Sequence, residues 1–123
     1  MLTPSLFIAE AGLKGRCVFT RKGIAAHTII EVSPVIVLSK SDRQTVQDSV
    51  FYYYLFEWGV RRSQAALGLG YISLYNHDDD SNCQYFMDYE EKTITVKTVK
   101  RVKAGDELTI NYSAGWSDWQ PYW

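Results

Sequence analysis

The sequence predicts a single, mainly β domain assembled from many short strands. Residues 28–38, "TIIEVSPVIVL", are β-branched and too rich in Val and Ile for a surface helix. Residues 83–98 read as a hairpin whose second arm alternates: Ile94 and Val96 on one face, Thr95 and Lys97 on the other. No stretch has the strand–helix–strand spacing of a doubly wound sheet. A chain of 123 residues fits one domain with one core.

In chain order, "GLKG" (12–15) gives a turn and "RCVFT" (16–20) a short strand. Pro34 lies inside the 28–38 run, so that strand is expected to be interrupted there or to lie at an edge. "SKSDRQ" (39–44) reads as a polar loop. The aromatic run "VFYYYLFEW" (50–58) fits a buried strand better than a short helix. "RRSQAALGLGY" (61–71) starts as a helical turn and is broken by Gly68 and Gly70. "CQYFMDY" turns at Glu90, Glu91 and Lys92 into "TITVKTV", and "KAGDEL" is a turn before the last strand, "LTINY" (108–112).

Composition narrows the function classes. The formal net charge of −1 gives no global basic field for nucleic acid or anionic membrane. No apolar run approaches the roughly 20 residues of a membrane span. The first fifteen residues have no basic segment leading into an apolar one, so no secretory signal is read. Two cysteines, Cys17 and Cys83, lie far apart and fit reduced thiols, so an intracellular, cytoplasmic location is expected, nuclear in a eukaryote. Aromatic residues reach 15 %, concentrated at 51–58 and in "WSDWQPYW" (116–123), more than a small core usually needs.

The polar stretch "NHDDDSN" (76–82) is the chemical question. As a calcium loop it lacks the alternating acids, the central Gly and the closing Glu. As a zinc site, one His with Cys83 six residues on is too little, so no metal is expected and Asp78–Asp80 read as a solvated turn. There is no nucleophile elbow of the G-x-S-x-G kind, and His27 reads as a loop residue. No phosphate loop or dinucleotide fingerprint is present.

Four pieces in order remain: "KGRCVFTRKGIAAHTIIE" (14–31), "LGLGYISLYNH" (67–77) with "SN" (81–82), "VKAGDELTINY" (102–112), and the aromatic tail. Together they resemble the SET-domain family of protein-lysine methyltransferases. That family shows K-G-x-G-hydrophobic-F, a basic-Gly segment ending in Glu, (F/Y)-N-H-S-x-x-P-N, and A-G-E-E-L-T-x-x-Y. The resemblance covers residues 5–113, leaving 114–123 as an aromatic tail, and small stand-alone members of bacteria and viruses are the most similar kind. It implies small sheets of short strands with a pseudoknot-like threading of the C-terminal chain. It also implies S-adenosylmethionine as cofactor and in-line methyl transfer to a neutral lysine amine of a protein or peptide.

By this resemblance Lys14, Gly15 and Arg16 meet the cofactor, as do Asn76, His77 and Tyr112. Tyr112 is the expected catalytic residue, and Tyr71, Tyr75 and Trp116 line the lysine channel. The chain departs from the pattern at Cys17 (Gly in the family), Asp78 (Ser), Ser81 (Pro) and Asp106 (Glu). A Cβ at position 17 would crowd the cofactor or change the backbone if the family glycine has a positive φ. The zinc-binding cysteine-rich flanks of many members are missing, so Trp116, Trp119, Tyr122 and Trp123 are read as a lid over the channel, with a tail packed for stability as the alternative. A homodimer is an open alternative for an aromatic surface of this size. The rival reading is a catalytically silent domain that binds a peptide or partner protein, and it predicts no cofactor binding.

Overall fold

The computed structural model describes residues 1–112. Two small sheets share one apolar core. The first has the order β1 (Leu6–Glu10), β2 (Arg16–Thr20), β9 (Glu107–Ile110), β6 (Asn76–His77). The second has the order β4 (Leu55–Trp58), β5 (Gln64–Gly68), β3 (Ile29–Leu38), β8 (Thr93–Thr98), β7 (Cys83–Asp88). A short helix, α1 (Lys40–Val46), follows β3, and 3-10 turns cover Gly12–Lys14, Val50–Tyr54 and Tyr71–Leu74. The core joins Val18, Ile30, Ile94, Val96, Leu108 and Ile110 from both sheets with Ile72 and Tyr75 at the 71–74 turn.

The hairpin of β7 and β8 forms as its alternation predicts, with Ile94, Val96 and Thr98 buried on one face. The strands predicted at 16–20 and before Tyr112 are present as β2 and β9, and the turn at 12–15 is stabilised by Gly15 at φ 74°. Aromatic residues 50–58 divide: 50–54 form a 3-10 turn capped by the Ser49 hydroxyl, and only 55–58 are strand.

Three further expectations are corrected. Pro34 neither interrupts its strand nor lies at an edge, because β3 changes partner there. Residues 29–34 pair with β8 and residues 35–38 with β5, so the missing N–H falls at the handover. Residues 40–46 are helical, not loop: the Ser39 side chain accepts the Asp42 N–H at 3.1 Å. No residue of α1 is buried, so it has no apolar stripe to read. Residues 61–71 contain β5 instead of a helical turn, since burial of Ala65 and Ala66 between β4 and β3 overrides alanine's helical preference. The first strand, β1, carries no signal that the sequence reading used.

The C-terminal threading is visible in β9. It runs antiparallel to β2 on one side and parallel to β6 on the other, with Asn76 opposite Thr109 and His77 opposite Ile110. The end of the chain thereby enters between an early strand and a middle one, and it delivers Tyr112 beside His77.

Candidate active site

The turn at 12–15, the start of β2, strand β6 and the start of β9 bring Lys14, Arg16, Cys17, Asn76 and Glu107 together. The Asn76 amide nitrogen donates to Glu107 Oε2 at 2.8 Å and to the Arg16 carbonyl at 3.3 Å, and meets Cys17 Sγ at 3.1 Å. Lys14 Nζ donates to the other Glu107 oxygen at 2.7 Å. Cys17 is fully buried within β2 and pairs with Ala9 on an ordinary strand backbone. Position 17 therefore needs no left-handed conformation, and its side chain is accommodated against Asn76.

Burial alone would raise the Glu107 carboxyl, but hydrogen bonds from Lys14 and Asn76, with the Lys14 charge, outweigh it and hold the pKa below the usual value. The same hydrogen bond, then the Glu107 charge, raises Lys14. A depressed carboxyl contributes stability that is present above its unfolded pKa, about 4.3. That stability is lost as pH falls through the lower folded value. A Glu107→Gln variant is expected to show a smaller loss of urea stability between pH 5 and 3 than the wild type. Parallel curves for the two proteins would mean that the carboxylate network does not form.

His77 and Tyr112 form the second cluster. The His77 Nδ1 accepts the Tyr112 backbone N–H at 3.0 Å, which leaves Nε2 to donate to Asp79 at 2.8 Å. The His77 and Tyr112 ring centroids lie 5.1 Å apart. The Tyr112 hydroxyl donates to the Tyr75 carbonyl at 2.7 Å, and the Tyr112 carbonyl accepts from the Tyr85 hydroxyl at 2.9 Å. Desolvation first, then the Glu107 charge, raises the Tyr112 phenol pKa, so it is a neutral hydroxyl at physiological pH. Asp78–Asp80 form an exposed turn, with Asp78 capping the Asp80 N–H and Asp80 held by Lys100.

A cavity of about 210 Å³ opens beside this hydroxyl, lined by Tyr53, Tyr54, Phe56, Tyr75, Tyr85 and Tyr112 among others. Of the channel residues expected from the sequence, Tyr75 borders it, as does Tyr112, the expected catalytic residue. Tyr71 does not: it packs against the core, and its N–H donates to Glu31. Trp116 and the lid of Trp119, Tyr122 and Trp123 lie outside the described residues. Sequence reasoning missed Tyr85, Phe56 and Tyr53, which come from β7, β4 and the preceding 3-10 turn. It also passed over Asn82, Glu107 and Glu31, although all three stand at fixed positions of the quoted motifs, which was the signal available.

Comparison with known proteins bears on the family and the fold. The family model described as SET domain matches residues 15–113. A Schizosaccharomyces pombe protein named histone-lysine N-methyltransferase, H3 lysine-37 specific, is 37% identical over 108 residues, covering 87% of this chain and 72% of that protein. A Plasmodium falciparum chain with a provisional assignment as a histone methyltransferase superposes with a TM-score of 0.71 at 25% identity, covering 94% of this chain and 98% of the other. An inhibitor-bound Polycomb Repressive Complex 2 from Chaetomium thermophilum, a humanized mutant, gives a TM-score of 0.72 at 19% identity. That match covers 94% of this chain and 16% of the other, and it bears on the fold alone.

Proposed function

The chain belongs to the SET-domain family of protein-lysine methyltransferases, and from that premise we propose that it methylates a lysine of a protein using S-adenosylmethionine. The observation that supports this reading most is the placing of the Tyr112 hydroxyl. It borders an aromatic cavity, sits 2.7 Å from the Tyr75 carbonyl, and adjoins the Asn76 network through a single peptide link. The residues at that network suit the cofactor. Lys14 and Glu107 are opposite charges 2.7 Å apart beside an amide, a set that matches both ends of an amino-acid moiety. Lys14, Arg16, Asn76 and His77 would hold it, and it would supply an electrophilic methyl group on a sulfonium.

The rest is the work of this chain. A lysine amine titrates near about 10.4 in water, so the site must favour its neutral form. Aromatic Tyr53, Tyr54, Phe56 and Tyr85 in the cavity lining would desolvate the ammonium, against the attraction of the Glu57 carboxylate that lines the same cavity. Tyr112 and Tyr75 both line the cavity, and the Tyr112 hydroxyl with the Tyr75 carbonyl would supply oxygen dipoles where positive charge shifts during transfer. Oxygen dipoles fixed in advance interact better with that charge than water, which must reorient. A cavity with several hydroxyl-bearing walls also positions the amine, and positioning contributes several kcal/mol in reactions of this kind.

The test is calorimetric titration with S-adenosylhomocysteine, followed by methyl transfer to lysine peptides. Stoichiometric binding is expected. In Asn76→Ala, loss of a charge-linked hydrogen-bond partner should weaken binding about 10- to 100-fold. Absence of binding by the wild type at millimolar ligand would instead favour a silent interaction domain, with Cys17 closing the pocket.

A further inference from the structure

We propose that Glu31 is a positioning residue for methyl transfer: its buried carboxylate holds Tyr75 so that the Tyr75 carbonyl receives the Tyr112 hydroxyl. The proposal rests on the methyltransferase reading, but the geometry behind it is independent of that reading.

Glu31 is 1% exposed, yet it lies in a strand whose neighbours are apolar. A register shift between Ile29 and Glu31 breaks the alternation of β3, and Ile30 and Glu31 both face inward. Bulges of this kind re-aim a side chain across a sheet. The re-aimed carboxylate divides its two oxygens. Oε1 accepts the Tyr75 hydroxyl at 2.8 Å, and Oε2 accepts the Tyr71 N–H at 2.7 Å. Tyr71 and Tyr75 bracket the 3-10 turn 71–74, so one carboxylate grips both ends of the segment before Asn76.

Gly70 gives a second, separate sign that this contact shapes the backbone. A Cβ at Gly70 would overlap Glu31 Oε2, so a larger residue there would displace the carboxylate from this position. Burial is the main cause of a raised Glu31 pKa, opposed by the hydrogen bonds from Tyr75 and Tyr71. An apolar side chain here would strand the Tyr75 hydroxyl and the Tyr71 N–H, so the carboxylate also satisfies two donors. Its further use is geometric. Tyr75 is held at its hydroxyl by Glu31 and contacted at its carbonyl by Tyr112, and its C-terminal neighbour is the Asn76 of the cofactor network.

The experiment compares Glu31→Gln and Glu31→Leu with wild type in three measurements. These are thermal unfolding, S-adenosylhomocysteine binding with steady-state methyl transfer, and the NMR signal of Tyr112 Cζ in protein labelled at tyrosine. Assignment of that signal comes from its loss in Tyr112→Phe. Glu31→Gln keeps an acceptor oxygen and the side-chain shape. It is expected to stay folded, with KM and ligand binding within about threefold, while kcat falls roughly tenfold. Glu31→Leu should lose roughly 100-fold in kcat, the scale reported for misplacing a reacting group by about 1 Å. The Tyr112 Cζ signal should move in both variants as its carbonyl partner shifts. An unmoved Tyr112 signal, or kcat losses no larger than the fraction unfolded, would overturn the proposal. If the wild type transfers no methyl group, the methyltransferase reading fails by itself, and the Tyr112 signal still decides whether Glu31 sets the position of that hydroxyl.

Discussion

Replacing Tyr112 by Phe is expected to lower kcat for methyl transfer by at least roughly 100-fold while leaving cofactor binding within a few-fold. The change removes one hydroxyl oxygen from a residue that lines the cavity. Removal of a single preorganised oxyanion-type group costs about 10²- to 10³-fold in enzymes where it has been isolated, and a hydroxyl facing developing positive charge belongs to the same kind of effect. The Tyr112 ring and its contact with His77 remain, and the backbone bond to His77 Nδ1 does not involve the hydroxyl. The fold should therefore tolerate the change, with a stability loss of about 1 kcal/mol for one half-buried hydrogen bond. Single-turnover methylation of a lysine peptide and calorimetric titration with S-adenosylhomocysteine are the measurements. Equal losses in kcat and in binding would place Tyr112 in cofactor recognition instead. Full activity in the variant would remove it from the chemistry.

Much of the architecture was legible because it follows from local pattern. The β7–β8 hairpin shows its period in Ile94, Val96 and Thr98, and the structure buries those three. The motif residues Lys14, Arg16 and Asn76 were expected to share a site, and Lys14 and Asn76 meet on the Glu107 carboxylate while Asn76 also donates to the Arg16 carbonyl. What could not be read has specific causes. Helix α1 buries nothing and depends on the Ser39 cap, so its sequence resembles a polar loop. Pro34 breaks a rule for strands only if the strand keeps one partner throughout, and β3 does not.

The inward turn of Glu31 depends on a register shift, which periodicity cannot reveal because the shift consists in breaking the period. The cavity wall has the same difficulty on a larger scale. Tyr53, Phe56, Tyr85 and Tyr112 are neighbours only after the two sheets pack, and their spacing in the chain carries no pattern. Sequence order pointed to the Asn-His pair, but the residues that contact it sit on other elements.

Asn82 is the clearest such support, and its loss is expected to be the most damaging to stability among the changes considered for the site. The Asn82 side chain substitutes for a strand neighbour of β9. Its amide nitrogen donates to the Glu107 carbonyl at 2.8 Å, and its amide oxygen accepts the Thr109 N–H at 2.9 Å. Its backbone N–H reaches the Thr109 hydroxyl at 3.4 Å, and its carbonyl accepts the Val99 N–H at 2.9 Å. One residue thereby ties the turn after β6 to the strand that delivers Tyr112. Asn82→Ala strands a backbone donor and a backbone acceptor in a partly buried place, at about 1–3 kcal/mol for each group left unsatisfied. A total near 2–3 kcal/mol corresponds to a fall in Tm of roughly 8–15 °C for a domain of this size.

Asn82→Asp separates this account from a simple packing loss. A carboxylate still accepts the Thr109 N–H but faces the Glu107 carbonyl without a proton to donate, so at pH 7 it should be as harmful as alanine. Protonation restores a donor, and the folded state then favours the protonated form. The pKa at position 82 in the folded variant is therefore raised above the ordinary value of about 3.9. The recovered stability is complete below that unfolded value and is lost as pH rises through the raised one. Thermal unfolding of wild type, Asn82→Ala and Asn82→Asp at pH 7 and pH 4 supplies the comparison. Asn82→Asp should gain on Asn82→Ala at the lower pH. A constant difference between the two variants, or a Tm change below about 3 °C for alanine, would mean that β9 is held by β2 and β6 without the Asn82 amide.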